Sequence, residues 1–270
     1  MEREEGLAVP VTQNRLYLYA IVAGRGPLRE PLAGLADAPV TLLPYRGIAA
    51  AVSQVDASTL QPEPEQLLRH EEVVEALMDE RTSLPVRFGT ILSGPQPLRN
   101  VLAQRYATLS ADLKRLAGQV EVGLRVLWDV DARQIDGGIG TTPSGSACAT
   151  EGASSRGTSY LLARARELAG ERLLQERARS LEGWCRQRLG PLATDMVTRT
   201  LVTTGLPVSA AFLLPEEKMG ALLAGVARLH TERPELDFAC TGPWPPYHFV
   251  TFAGAQNDND QENPRYDFPR

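Results

Sequence analysis

The chain has 270 residues, 43% hydrophobic but only 6% aromatic, with a formal net charge of −5. That length holds one large domain or two small ones, and the acidic balance argues against a general nucleic-acid or anionic-membrane binder, which needs a basic surface. No run of about 18 apolar residues occurs, so no membrane-spanning helix is expected, and the acidic start Met1-Glu2-Arg3-Glu4-Glu5 lacks the apolar core of a signal peptide.

Residues 1–14 are polar and unpatterned and read as disordered. Leu16–Val22 is a strand by its β-branched and aromatic content. Val40–Tyr45 and Ile48–Ser53 flank Arg46-Gly47 as a hairpin, in which Pro44 marks an edge strand or a strand end. Pro62 and Pro64 precede a helix over about 65–81, with Leu67, Val74, Leu77 and Met78 at helical spacing. Its charged residues Glu71, Glu72, Glu75 and Asp79 are expected to cover the solvated face. Leu84-Pro85-Val86-Arg87-Phe88-Gly89-Thr90 reads as one extended run. A second helix over about 96–118 carries Leu98, Val101, Leu102, Leu109, Leu113 and Leu116, with Gly118 as its stop.

In the second half, Val120–Trp128 alternates and then turns wholly apolar, as a strand that becomes central does. A Gly/Ser/Thr/Ala-rich linker runs from Asp136 to Ser159. A long helix over about 158–189 follows, with Arg and Glu interleaved at three- to five-residue spacing, which suits mutual ion pairs. Thr194–Val202 and Pro207–Leu214 read as strands, and Pro215-Glu216-Glu217 as the first turn of a helix reaching about Thr231. Leu236–Cys240 and Tyr247–Phe252 read as the last strands, and 253–270 as a disordered tail. The order β, α, β, β, α, β is that of the ferredoxin-like split βαβ.

No residue constellation carries recognisable chemistry. His70, His230 and His248 lack metal-site spacing and read as hydrogen-bonded or solvated structural histidines. Gly137–Gly145 has no Gly-Lys-Ser/Thr and reads as linker rather than phosphate loop. Ser144, Ser146 and Cys148 have no adjacent base. Cys148, Cys185 and Cys240 form neither a disulfide framework nor a CxxC site, which fits a reducing cytoplasm. No catalytic, cofactor or metal site is therefore expected. Two places stand out instead. Arg87 is a charge in an apolar run beside Phe88, compatible with a structural role or with a domain interface. Thr241-Gly242-Pro243-Trp244-Pro245-Pro246-Tyr247 is a stiff corner, since each proline fixes its own φ and biases the residue before it. Trp244 there either closes a core or is presented as a binding edge.

Leu16–Val22, His70-Glu71-Glu72-Val73-Val74-Glu75, Leu84–Thr90, Val120–Trp128 and Thr241–Tyr247 occur in that order, and together they resemble the gas vesicle GvpL/GvpF family. The resemblance covers about 16–252. It implies an α+β protein of two domains: an N-terminal α+β domain at 15–119, and a C-terminal ferredoxin-like (βαββαβ) domain at 120–252 with a flexible insertion at 136–159. It implies a non-enzymatic, cytoplasmic accessory protein of gas vesicle assembly, acting in nucleation or growth by binding the shell protein GvpA and other vesicle accessory proteins. Arg87, Phe88, Trp244 and Tyr247 are then its partner-binding or structural signature. The family's usual Asn before Ala-Ala-Phe-Leu is Ser209 here, so no role of that Asn carries over. The alternatives are an enzyme using a ferredoxin-like scaffold with an unrecognised pocket, and an RNA-recognition module, against which the absent RNP-type aromatics and the acidic charge both weigh.

Overall fold

A computed structural model describes residues 14–128 apart from 57 and 59, 156–200 and 207–251. The expected N-terminal disorder, most of the linker, Cys148 and the tail after 251 lie outside the described residues. The fold mixes helices with two antiparallel sheets and divides into two compact units, residues 1–120 with 244–270, and residues 121–243. The sequence reading grouped 120–252 together, whereas the residues from Trp244 onward cluster with the first unit.

In the first unit, β1 (Asn14–Ala23) lies between β3 (Ile48–Asp56) and the short strands β4 (Ser83–Pro85) and β5 (Ile91–Leu92), and β2 (Thr41–Tyr45) forms the edge beyond β3. Pro44 thus stands on an edge strand, where its missing N–H leaves no ladder bond unmade. Leu84–Thr90 is not one extended run. It is broken between β4 and β5 by a loop in which Gly89 adopts φ 82°, a left-handed conformation open to glycine. The β1–β3 register shifts between Leu18 and Ala20, bulging the strand at Tyr19. A bulge resets the two-residue alternation, so Tyr17 and Tyr19 share a buried face with Ala20 and Val22. Helix α1 (Pro64–Glu80), with proline in its first turn, covers this face through Val73, Val74 and Leu77. Helix α2 (Pro95–Arg115) packs on β1, β2 and β4, and buries Leu98, Leu102, Leu109 and Leu113. Past its end, Gly118 takes φ 67°.

The second unit contains β6 (Gln119–Trp128), α3 (Arg156–Leu189), β7 (Asp195–Thr200), β8 (Val208–Pro215), α4 (Met219–Glu232) and β9 (Leu236–Trp244), with sheet order β7-β8-β6-β9. Alternate residues Val122, Leu124, Val126 and Trp128 of β6 and Val208, Ala210, Phe212 and Leu214 of β8 point to one core. Ala178, Leu181, Cys185 and Leu189 of α3 and Leu222, Val226 and Leu229 of α4 meet them there. Pro215 closes β8 instead of opening a helix; Glu216–Lys218 form a 3-10 turn and α4 starts at Met219. The strand expected from Tyr247 is not formed over the described residues 247–251: Tyr247–Phe249 form a 3-10 turn, and Pro245 and Pro246 before it have no N–H to offer a ladder.

Gly34 shows how tightly the bulge is packed. A Cβ there would lie 2.2 Å from the Tyr19 hydroxyl, which accepts the Leu35 N–H at 2.9 Å and bonds Ser53 Oγ at 2.8 Å. Gly34→Ala is expected to cost about 1–3 kcal/mol through overpacking. An unchanged denaturation midpoint would contradict this.

Candidate functional site

A buried polar cluster forms in the first unit around His70. The α1 turn carrying it faces β1, and the ring is 1% exposed. It stacks on Tyr19 with centroids 5.7 Å apart and meets Tyr17 and Phe88 edge-on at 5.6 and 5.8 Å. The Val86 carbonyl, 3.1 Å from Nε2, can only accept, so Nε2 carries the proton and donates. Nδ1 is then the acceptor for the Tyr17 hydroxyl at 2.9 Å, and that hydroxyl accepts the Gly89 N–H at 3.1 Å. Both nitrogens of a neutral imidazole are thereby satisfied. Burial pushes the His70 pKa from its ordinary 6.5 down to about 4, partly countered by the Val86 carbonyl.

Tyr247, contributed by the proline-rich corner, completes the cluster. Its hydroxyl donates to the Glu71 carboxylate at 3.1 and 3.2 Å and lies 3.4 Å from His70 Nε2. Glu71 is therefore not on the solvated face assigned to it from sequence. Burial, with the nearby Glu75 charge, raises its pKa from 4.5 to about 7 against the lowering effect of the Tyr247 bond. Four residues after Tyr247, Thr251 donates to Asp112 of α2 from its N–H at 2.8 Å and from Oγ1 at 3.0 Å; Arg115 donates to the same carboxylate at 3.0 Å and also to the Phe249 carbonyl. The segment 247–251 is thus pinned at both ends, to α1 and to α2.

Of the residues singled out from sequence, Phe88 and Tyr247 meet at His70. Arg87 is exposed in the β4–β5 loop, its carbonyl accepting Thr90 Oγ1 at 2.7 Å, so it is not held against a core. Trp244 ends β9 half-buried. Sequence reasoning missed Tyr17, Tyr19, Glu71, Asp112 and Arg115. Only the alternation in Leu16–Val22 hinted that Tyr17 and Tyr19 share a face. The chemistry of the cluster is that of a clamp: its histidine has both nitrogens engaged, and its acid and phenol bond each other.

The other histidines stand apart. His230 donates from Nδ1 to the Leu236 carbonyl at 3.0 Å and lines an open groove of about 350 Å³ with Asp237, Phe238 and Cys240. His248 is exposed. Burial pushes the Cys185 thiol up to about 11 and raises Cys240 as well, which suits packed rather than reactive thiols.

The sequence profile described as "Gas vesicle synthesis protein GvpL/GvpF" matches residues 15–251. The chain belongs to the GvpL/GvpF family. Gas vesicle protein F1 of Halobacterium salinarum is 25% identical over 244 residues, covering 89% of this chain and 94% of the relative. Gas vesicle protein L1 of the same organism is 25% identical over 261 residues, with 89% and 92% covered. The crystal structure of GvpF from Anabaena sp. has the same fold, with a TM-score of 0.70 at 24% identity over 90% of this chain and 98% of that one. Membership of GvpL/GvpF implies a role in gas vesicle formation. Among the described residues, no helix is long and apolar enough to cross a membrane.

Proposed function

We propose that this protein is a non-catalytic accessory factor of gas vesicle assembly, acting in nucleation or growth by binding the shell protein GvpA and other vesicle accessory proteins, and that it works in the cytoplasm and at the vesicle. The observation that carries this reading is the family match over 15–251, nearly the whole described chain. A subunit of a gas-facing wall exposes apolar surface before assembly, and such patches aggregate unless shielded. Shielding by a partner, or strand addition at a free sheet edge, meets that need. The edge strands β2 and β7 are of the right kind. The second unit, with its βαββαβ order and sheet order β7-β8-β6-β9, is in this reading a ferredoxin-like domain.

Arg87 and Trp244 are the residues assigned to partner contact; Phe88 and Tyr247 pack and bond at His70. The test is a pull-down of the full chain against GvpA and each vesicle accessory protein separately. Arg87→Ala and Trp244→Ala, each checked for folding, are expected to weaken capture roughly thirtyfold, the threshold of an interface hot spot. Undiminished capture by both folded variants removes the residue assignment. Absence of capture by any vesicle protein removes the function.

A further inference from the structure

The geometry points to a carboxylate-binding pocket in the second unit, built by Trp128, Arg177, Ser180 and Arg233, that takes an acidic side chain of a partner polypeptide. Trp128, at the end of β6, is 7% exposed, and its indole N–H has no acceptor among the described residues. A buried donor without an acceptor is costly to a fold and rare in one. Trp128 lines a partly enclosed cavity of about 160 Å³ together with Arg177 and Ser180 of α3, Arg233 and Glu235 of the α4–β9 connection, and apolar Leu181.

The two guanidinium groups are pre-set for an oxyanion. Arg177 lies over the Trp128 ring, 5.0 Å from its centroid, and Arg233 over the Trp184 ring at 4.7 Å. Stacking uses the face of a guanidinium and leaves its in-plane N–H groups to bond a carboxylate. Among the described residues, neither Arg177 nor Arg233 has a carboxylate within ion-pair distance, whereas their neighbour Arg188 is paired with Glu232. Arg177 and Ser180 are three residues apart on α3 and so share one face.

Size and charge select the ligand. The cavity holds the volume of roughly five waters, enough for a carboxylate with its methylenes and well under the ~300 Å³ at which small-molecule sites begin. Two guanidinium groups against the single carboxylate of Glu235 leave the lining net positive by one charge, which a monoanion neutralises. A phosphate dianion would over-fill that charge beside Glu235. Leu181 and the Trp128 ring offer apolar surface to the methylene stem.

The experiment follows the indole N–H signals of the full chain, labelled with ¹⁵N at tryptophan, at constant ionic strength. The probes are a terminally blocked Gly-Glu-Gly peptide, its Gly-Gln-Gly counterpart and inorganic phosphate, and Trp128→Phe assigns the Trp128 signal. The Trp128 signal is expected to move saturably with the Glu peptide and not with the Gln peptide. Arg177→Gln and Arg233→Gln, both at exposed positions, are expected to weaken the response about tenfold each while the circular dichroism spectrum is kept. No movement with the Glu peptide, equal movement with the Gln peptide, or a full response in both arginine variants overturns the site. A response to phosphate alone overturns the peptide as its occupant.

Discussion

Asp112→Ala is expected to destabilise the first unit by about 2–4 kcal/mol and to release residues 247–251 from α2. The Asp112 carboxylate is 4% exposed and serves three donors: the Thr251 N–H, the Thr251 hydroxyl and the Arg115 guanidinium. Hydrogen bonds to a charged acceptor contribute about 1.5–3 kcal/mol each, and a donor stranded in a partly buried place carries its own desolvation cost. The sum is held down because Arg115 is 40% exposed, and water can take over its share. Arg115 also holds the Phe249 carbonyl, so losing Asp112 removes the anchor of the guanidinium as well as that of Thr251. Two measurements check this. Chemical denaturation should show the loss in midpoint, and hydrogen exchange at the amides of 249 and 251 should accelerate more than exchange at β1. Uniform acceleration everywhere would mean that Asp112 supports the helix and not the segment; unchanged exchange at Thr251 would overturn the tether.

Local pattern made the helices legible. Proline at the start, apolar spacing through the middle and a left-handed Gly118 after the end locate α1 and α2 to within a few residues. The hairpin β2–β3 follows from its two apolar runs, and the edge position of β2 from Pro44. What local pattern does not encode is where a segment returns. Tyr-His-Phe-Val-Thr-Phe at 247–252 has a strand's composition, yet the first three form a 3-10 turn, because Tyr247 bonds Glu71 at a separation of 176 residues and Thr251 bonds Asp112. For the same reason Glu71 looks like one more solvated acid among Glu72, Glu75 and Asp79 until Tyr247 is placed over it. The bulge at Tyr19 was equally hidden: a strict two-residue alternation would put Tyr19 and Ala20 on opposite faces, and only the register shift brings them together.

These return contacts also explain why the most recognisable short runs of the chain recur together. The His70-Glu71 run, the Val86–Gly89 run and the Pro-Pro-Tyr corner are distant in sequence, but each supplies a part of one hydrogen-bonded cluster: ring and carboxylate, carbonyl and N–H, phenol. Phe88 and Tyr247 therefore have a structural reason to be where they are, independent of any partner. The partner contact proposed above is assigned to exposed Arg87 and half-buried Trp244.

The cluster also predicts how stability responds to pH. An ordinary histidine takes a proton near 6.5, but folded His70 refuses it until about 4. As pH falls from 6.5 to 4, the unfolded chain binds a proton that the folded one does not, so this group alone lowers stability, by up to roughly 3 kcal/mol. Glu71 acts in the opposite sense. It holds its proton up to about 7 when folded and only to 4.5 when unfolded. As pH falls from 7 to 4.5 the folded chain gains the proton first and stability rises, by about 1–2 kcal/mol once partial exposure of the carboxyl is allowed for. The two windows overlap almost wholly, so in the intact protein the contributions oppose and largely mask each other. Glu71→Gln keeps an acceptor for the Tyr247 hydroxyl and removes the titration. Its stability relative to the parent chain is then expected to fall by about 1–2 kcal/mol between pH 7 and pH 4.5, with its own profile declining toward acid as the uncompensated histidine dictates. Subtracting the two profiles removes the titrations that the substitution leaves untouched. Urea denaturation of both chains at half-unit steps between pH 4.5 and 7.5 reads the difference directly, and a difference constant with pH would show that Glu71 is not held protonated by its burial against Tyr247.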